Sequence, residues 1–137
     1  MSTSTPVDWR ARAAALRPDG HAVIGGERRT AADLFDKHSP IDGRLLGRVA
    51  RGQAADIDAA VKSARAAFDD GRWARRAPVQ RKRVLLAFAE KIMAAKEELA
   101  LLETLDMGKP IQYSLSVDVP STARTIAWYA EAVDKVY

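Results

Sequence analysis

Residues 85–110 read LLAFAEKIMAAKEELALLETLDMGKP, and they decide the fold. Leu85, Phe88, Ile92, Ala95, Leu99 and Leu102 alternate spacings of three and four, the mark of a single apolar face on a helix. Pro78 suits the first turn of that helix, because the nitrogen of a first-turn residue needs no intrahelical acceptor. The pattern runs to about Met107, with a break expected near Lys96. Gly108-Lys109-Pro110 then stops it, since glycine permits a reversal and proline cannot continue the ladder. A coiled-coil seam would use the same stripe. Three heptads without ordered charge pairing suit a helix buried in a larger body better.

Helical patterning extends on both sides. Upstream, Ile57, Val61, Ala64 and Phe68 form one stripe over an expected helix from Ala54 to Asp69, with Asp56 and Asp58 in its first turn. Downstream, Ile111 to Tyr137 reads as a third helical region interrupted by Pro120. The helix there either kinks or ends and restarts with Ser121 in the new first turn. Ile126, Tyr129, Ala130 and Val133 form a stripe beyond it, and helical patterning reaches the last residue without a stop signal. A chain that continues in its source protein is therefore expected.

Before Gly52 the character differs. His21 to Ile24 and Glu27 to Thr30 are extended runs separated by Gly25-Gly26, which suits a two-residue hairpin. Ser39-Pro40-Ile41-Asp42-Gly43 reads as a turn, and Leu45 to Ala50 leads away from it as a strand. Residues 9–17 suit a short amphipathic helix bearing arginines, either a transit peptide or membrane-surface helix, or a surface helix packed on its own protein. Asp8, Asp19 and the small apolar face favour the surface helix. Residues 1–52 thus form an N-terminal helix, hairpin and short strands, and residues 53–137 are helical.

Composition bounds the function. The chain has 137 residues, 47% apolar and 29% charged, and its 22 basic against 18 acidic residues leave a net charge of +4. That balance is globular and gives little reason to expect a polyanionic partner. There is no cysteine, so disulfides and cysteine nucleophiles are excluded within this chain. Two histidines, His21 and His38, are too few for a histidine-built zinc site unless carboxylates complete it. No apolar run approaches the roughly 20 residues that span a bilayer. No secretory leader is visible, and a cytoplasmic location is expected.

Catalytic motifs are absent: no G-x-G-x-x-G after a strand, no P-loop, no G-x-S-x-G. Arg72, Arg75, Arg76, Arg81, Lys82 and Arg83 surround Trp73. A nucleic-acid surface is one reading of them, and a solvated loop with local ion pairs is the reading the modest net charge favours. Glu103 and Asp106 lie near a helix C-terminus, where a carboxylate opposes the helix dipole. Each needs a compensating partner such as a cation, Lys109 or a donor from another segment.

ETLDMGKP (103–110), SLSVDVP (114–120) and WYAEAVDKVY (128–137) together resemble the N-terminal part of the aldehyde dehydrogenase superfamily. ADIDAAVKSARAAFDDGRW (55–73) adds to the match, and Ser39-Pro40-Ile41-Asp42-Gly43 stands where the family has Asn-Pro-x-Thr-Gly. Trp9, ARAAAL (11–16) and the DKVY ending suggest the branch that oxidises gamma-glutamyl-aminobutyraldehyde.

The resemblance implies an α/β aldehyde dehydrogenase fold in the full protein. This segment would be mainly α-helical with an N-terminal β-hairpin and short strands, and residues 53–137 would be helices of the cofactor-binding domain. It implies a small aldehyde as substrate, NAD or NADP as cofactor bound mainly outside these residues, and homo-oligomers, with no nucleic-acid or membrane partner. The nucleophile would also lie elsewhere, and the segment alone would be inactive. Two sites carry over by position. A monovalent cation would be held by the backbone carbonyls of Lys37 and His38 and the carboxylate of Asp106. A substrate entrance would be lined by Val117, Asp118 and Ser121, with Asp118 drawing a cationic substrate end. Asp118 could equally serve as a local cap or ion-pair partner near Pro120. A different class of reading is a small helical interaction module that associates with full-length subunits through exposed apolar stripes.

Overall fold

The computed structural model describes residues 7–135. Helix α1 spans Trp9–Ala15, and its N-terminus is capped by the Asp8 carboxylate, which accepts from the backbone N–H groups of Arg10 and Ala11 at 3.1 and 3.0 Å. Two antiparallel strand pairs follow. Strands β1 (Ala22–Ile24) and β2 (Glu27–Arg29) form the expected hairpin about Gly25-Gly26, with Ala22 opposite Arg29. Strands β3 (Leu34–His38) and β4 (Leu45–Ala50) pair with Leu34 opposite Ala50, and the register shifts between Lys37 and His38.

Composition alone does not announce β3. Its sequence, LFDKH, has no alternation that the eye can follow, and Leu34, Phe35, Asp36 and His38 are all exposed. What makes it a strand is its partner β4.

Helix α2 spans Ala54–Asp69, the bounds the stripe predicts. The Asp56 carboxylate accepts from the backbone N–H of Gln53 at 2.9 Å and so ties the first turn back on itself. Ile57, Val61 and Phe68 stay 59%, 61% and 65% exposed. The amphipathic face forms the helix, and nothing among the described residues covers it.

Helices α3 (Pro78–Ala94) and α4 (Lys96–Met107) meet at Ala95, at the expected break. α3 packs along α6 (Val119–Ala132), and α4 packs against both α6 and the turn that precedes it. The core is Ala89 of α3, Ala100, Leu101 and Leu105 of α4, and Val119, Ala123 and Ala130 of α6. This is not the long stripe read from the sequence, in which Phe88 is 51% exposed and Leu99 is exposed as well. The break at Ala95 re-aims the chain, so one continuous stripe cannot face one partner. Alanine lines much of the core and lets the helices approach closely, leaving the larger residues at the groove edges.

The third helical region is α5 (Ile111–Tyr113), a π turn (Ser114–Asp118) and α6. A fresh start occurs here, the second of the two expected outcomes: α6 begins at Val119 with Pro120 and Ser121 in its first turn. The ladder widens to a π turn just before it, and Pro120 falls in the first turn of α6, where its missing N–H is not needed. Helical patterning was expected to reach the chain end. Helix α6 instead stops at Ala132, and the backbone N–H of Lys135 closes a turn onto the Ala132 carbonyl at 3.0 Å. Val136 and Tyr137 of the DKVY ending lie outside the described residues.

Gly20 joins the N-terminal segment to β4. Its carbonyl accepts from the Ala50 N–H at 2.8 Å, and a Cβ on it would lie 1.9 Å from the Arg48 carbonyl oxygen. Gly20→Ala is expected to destabilise by about 1–3 kcal/mol, because backbone must move to admit the methyl group. A urea midpoint unchanged from the parent would disprove this close approach.

Candidate functional site

The C-terminal end of α4 gathers the residues that sequence singled out. Gly108 ends the helix in the left-handed conformation, φ +78°, and its N–H donates to the Thr104 carbonyl at 2.9 Å. The turn after β3 is seated on this glycine, since a Cβ there would lie 3.2 Å from Pro40 Cγ. Ser39, 2% exposed, organises that turn. Its N–H donates to the Arg44 carbonyl at 2.9 Å, its carbonyl accepts from Gly43 at 2.9 Å, and its hydroxyl accepts from the Ile41 N–H at 3.2 Å.

The same contact brings Lys37 and Asp106 together. Lys37 Nζ lies 2.8 Å from Asp106 Oδ1, across a cleft of about 370 Å3 whose walls include Pro18, Gly47, Leu102 and Leu105. The two residues therefore meet through the lysine ammonium. His38 is exposed beside the bulge, opposite Leu45. No group of three histidine, aspartate or glutamate side chains gathers anywhere among the described residues. The Asp106 carboxylate is matched one to one by the Lys37 ammonium, so this pair as it stands does not fit a further, bound cation. On the cleft rim, Asp19 accepts from the His21 N–H at 3.0 Å and lies 2.6 Å from His21 Nδ1 and 2.7 Å from Arg28 Nε. The backbone N–H of His21, then its ring, then Arg28 hold the Asp19 carboxyl down at about 2.

A second cluster lies beyond Gly108. Lys109 forms a close ion pair with Asp118, and its Nζ is 4.0 Å from Glu103 Oε1. Both acids are largely covered, at 27% and 26% side-chain exposure, so two carboxylates share one ammonium with limited access to water. The hydrogen bond to Asp118 raises the Lys109 pKa above its ordinary value, burial opposes this, and the charges of Asp118 and Glu103 add to it. The two acids that needed partners at this helix end thus have them: Lys37 for Asp106 and Lys109 for Glu103.

The π turn sets where Asp118 points. Ser114 and Val119 are both buried, five residues apart, the spacing of a π turn rather than an α turn. Ser114 receives a long hydrogen bond from the Thr104 hydroxyl at 3.5 Å. Val119 takes the buried position, and Asp118 is left at the side of the helix, within reach of Lys109. Val117 is exposed, and Ser121 is partly exposed three residues beyond Asp118. The sequence pointed to Val117, Asp118 and Ser121. It did not show that Glu103 and Lys109 join Asp118, because that contact depends on the turn at Gly108.

Among the described residues one strand leads directly into a helix, β4 into α2; Gly52 lies in the linker between them, and the Asp56 carboxylate accepts from the Gln53 N–H at that helix start. The basic cluster at 72–83 is partly spent on local contacts. Arg72 pairs with Asp70, Arg76 Nε donates to the Arg72 carbonyl at 2.9 Å, and Lys82 pairs with Glu131.

The chain belongs to the aldehyde dehydrogenase family, which matches residues 27–137. It is 46% identical over 131 residues to the NADP/NAD-dependent aldehyde dehydrogenase PuuC of Escherichia coli K12, a match that takes in 94% of this chain and 26% of that protein. It superposes on the gamma-glutamyl-gamma-aminobutyraldehyde dehydrogenase of Burkholderia cenocepacia J2315 with a TM-score of 0.92 at 50% identity, over 94% of this chain and 27% of that one. The indole-3-acetaldehyde dehydrogenase AldA of P. syringae, solved in complex with NAD+ and IAA, gives a TM-score of 0.92 at 54% identity, over 95% and 27% of the respective chains. The chain therefore spans about a quarter of the length of these relatives, and the family and fold read from ETLDMGKP and its neighbours are shown.

The Lys109 pairing carries a pH dependence with a definite sign. A folded-state pKa raised above 10.5 gives a contribution that is full below 10.5 and lost as pH rises through the higher folded value. In urea unfolding the parent should lose stability over that alkaline range more steeply than Lys109→Met. Parallel curves would show that the pair contributes nothing.

Proposed function

We propose that the protein bearing these residues oxidises an aldehyde to its carboxylic acid with NAD or NADP, and that the aldehyde carries a cationic or amino-derived end, as an aminoaldehyde or gamma-glutamyl-aminobutyraldehyde does. In that reaction the aldehyde carbon loses a hydride to NAD(P)+, water supplies the second carboxylate oxygen, and a proton is released. The observation that carries the substrate class is the pair of partly covered carboxylates, Glu103 and Asp118, served by a single ammonium. That cluster has an excess of negative charge and would attract a second cation. Likeness to PuuC and to a gamma-glutamyl-gamma-aminobutyraldehyde dehydrogenase supports it.

Val117, Asp118 and Ser121 line the substrate entrance in this reading. Residues 53–137 contribute helices to the cofactor-binding domain, and the preceding strands and hairpin contribute to subunit association in a cytoplasmic homo-oligomer. No helix among the described residues is long and apolar enough to cross a membrane. The nucleophile and the dinucleotide contacts lie outside these 137 residues, which contain no cysteine, so the segment alone is inactive.

A second reading rests on the uncovered faces. Ile57, Val61 and Phe68 on α2, with Trp128 and Tyr129 on α6, leave apolar surface that a partner would cover. A helical module associating with full-length subunits would use it. Such a module would be monomeric and cooperatively folding when purified, whereas a severed piece of an enzyme would aggregate.

The enzyme reading is tested by assaying the protein in its native length against aminoaldehydes and uncharged aldehydes. Asp118→Asn should raise KM for the cationic aldehydes by about tenfold, the worth of one charge-assisted hydrogen bond. It should leave KM for uncharged aldehydes near the parent value. Equal effects on both would remove Asp118 from substrate selection.

A further inference from the structure

We propose that the Lys37 ammonium is this protein's own counter-ion for Asp106, standing at the end of α4 where the family resemblance places a bound monovalent cation. The junction between β3 and α4 is then indifferent to which salt cation is in solution.

The demand for positive charge at this point is physical. Asp106 is in the last turn of α4, where the unpaired carbonyls already concentrate negative charge, and that turn contains no basic residue. The lysine nearest in sequence, Lys109, is committed to Asp118 and Glu103. Lys37 answers the need from a strand far away in the chain, with Nζ 2.8 Å from Asp106 Oδ1. Its position is set by β3 itself. Lys37 stands at the bulge and opposite Gly47, so no cross-strand side chain competes for the space it crosses.

The other charged groups of the cleft are accounted for. Asp19 is held by His21 and Arg28, Arg48 by Asp36, and Glu103 by Lys109. Asp106 is the carboxylate left for Lys37. An ammonium tethered through β3 is present at high effective concentration and gives up little freedom on pairing, while a free ion would have to displace it. This inference concerns Lys37 and Asp106 alone and does not depend on the substrate assigned above.

Thermal unfolding of the protein in its native length decides the matter, measured in potassium, sodium and tetramethylammonium chloride at equal ionic strength. The parent should melt at the same temperature in all three. Lys37→Met should melt about 1 °C lower in tetramethylammonium, the shift expected for loss of a modest ion pair in a protein of the relatives' length. Potassium should recover part of that loss in a saturable way. Lys37→Arg should behave as the parent. A parent response to potassium as large as the variant's would overturn the proposal. So would a Lys37→Met protein that melts with the parent, or one that melts lower and ignores potassium. Should Lys37→Met fail to fold, the parent salt series and Lys37→Arg decide: a saturable potassium response in the parent, or its appearance in the arginine variant, rejects the built-in counter-ion.

Discussion

Gly108 adopts a left-handed conformation at the end of α4, and the two charge clusters of the candidate site are arranged about that one residue. Asp106, just before it, reaches back to Lys37 on β3. Lys109, just after it, reaches forward to Asp118 at the end of the π turn. A helix continuing past this point would carry Lys109 along its own axis and away from Asp118. The turn at 39–44 is seated on the same glycine, so strand pair, helix end and following helix are located against one another there. Exposed ion pairs are each worth only about 0–1 kcal/mol. Their weight here lies in which segments they hold together.

Much of this was legible from residue pattern. The bounds of α2, the start of α3 at Pro78, the stop at Gly108 and the hairpin at Gly25-Gly26 all follow from local rules, because caps, prolines and glycines act within a few residues of themselves. Strand β3 was not legible, since its existence depends on β4 and its own residues are mostly exposed. The contacts between the helices were not legible for a related reason. A stripe of large apolar residues such as Phe88 and Leu99 reports which face is apolar, and it does not report where the helices touch. Ala89, Ala100, Ala123 and Ala130 make that contact, and alanine contributes little to a periodicity count.

The candidate site divides along the same line. Asp106 and Asp118 could be singled out in sequence, the first by its place at a helix end and both through the family resemblance. Their partners could not be assigned, because Lys37 lies in a distant strand and Lys109 is delivered by a turn. The membership now shown for residues 27–137 agrees with the motif reading, and the apolar face of α2 remains uncovered among the described residues. The chain spans about a quarter of its relatives' length.

The π turn makes the length of this segment as important as its composition. In an α-helix each residue advances the direction by about 100°. Tightening 114–118 to ordinary pitch with its length unchanged would turn the side chains on one flank by that angle relative to the other. If Ser114 kept its place, the inward position now filled by Val119 would be handed to a charged or half-polar neighbour, and the alanines that let α6 approach α3 would swing off the contact line. The π turn thus absorbs one extra residue: it keeps Ser114 and Val119 on one face at a spacing of five, and losing one residue between them would leave them four apart, the same-face spacing of an ordinary helix.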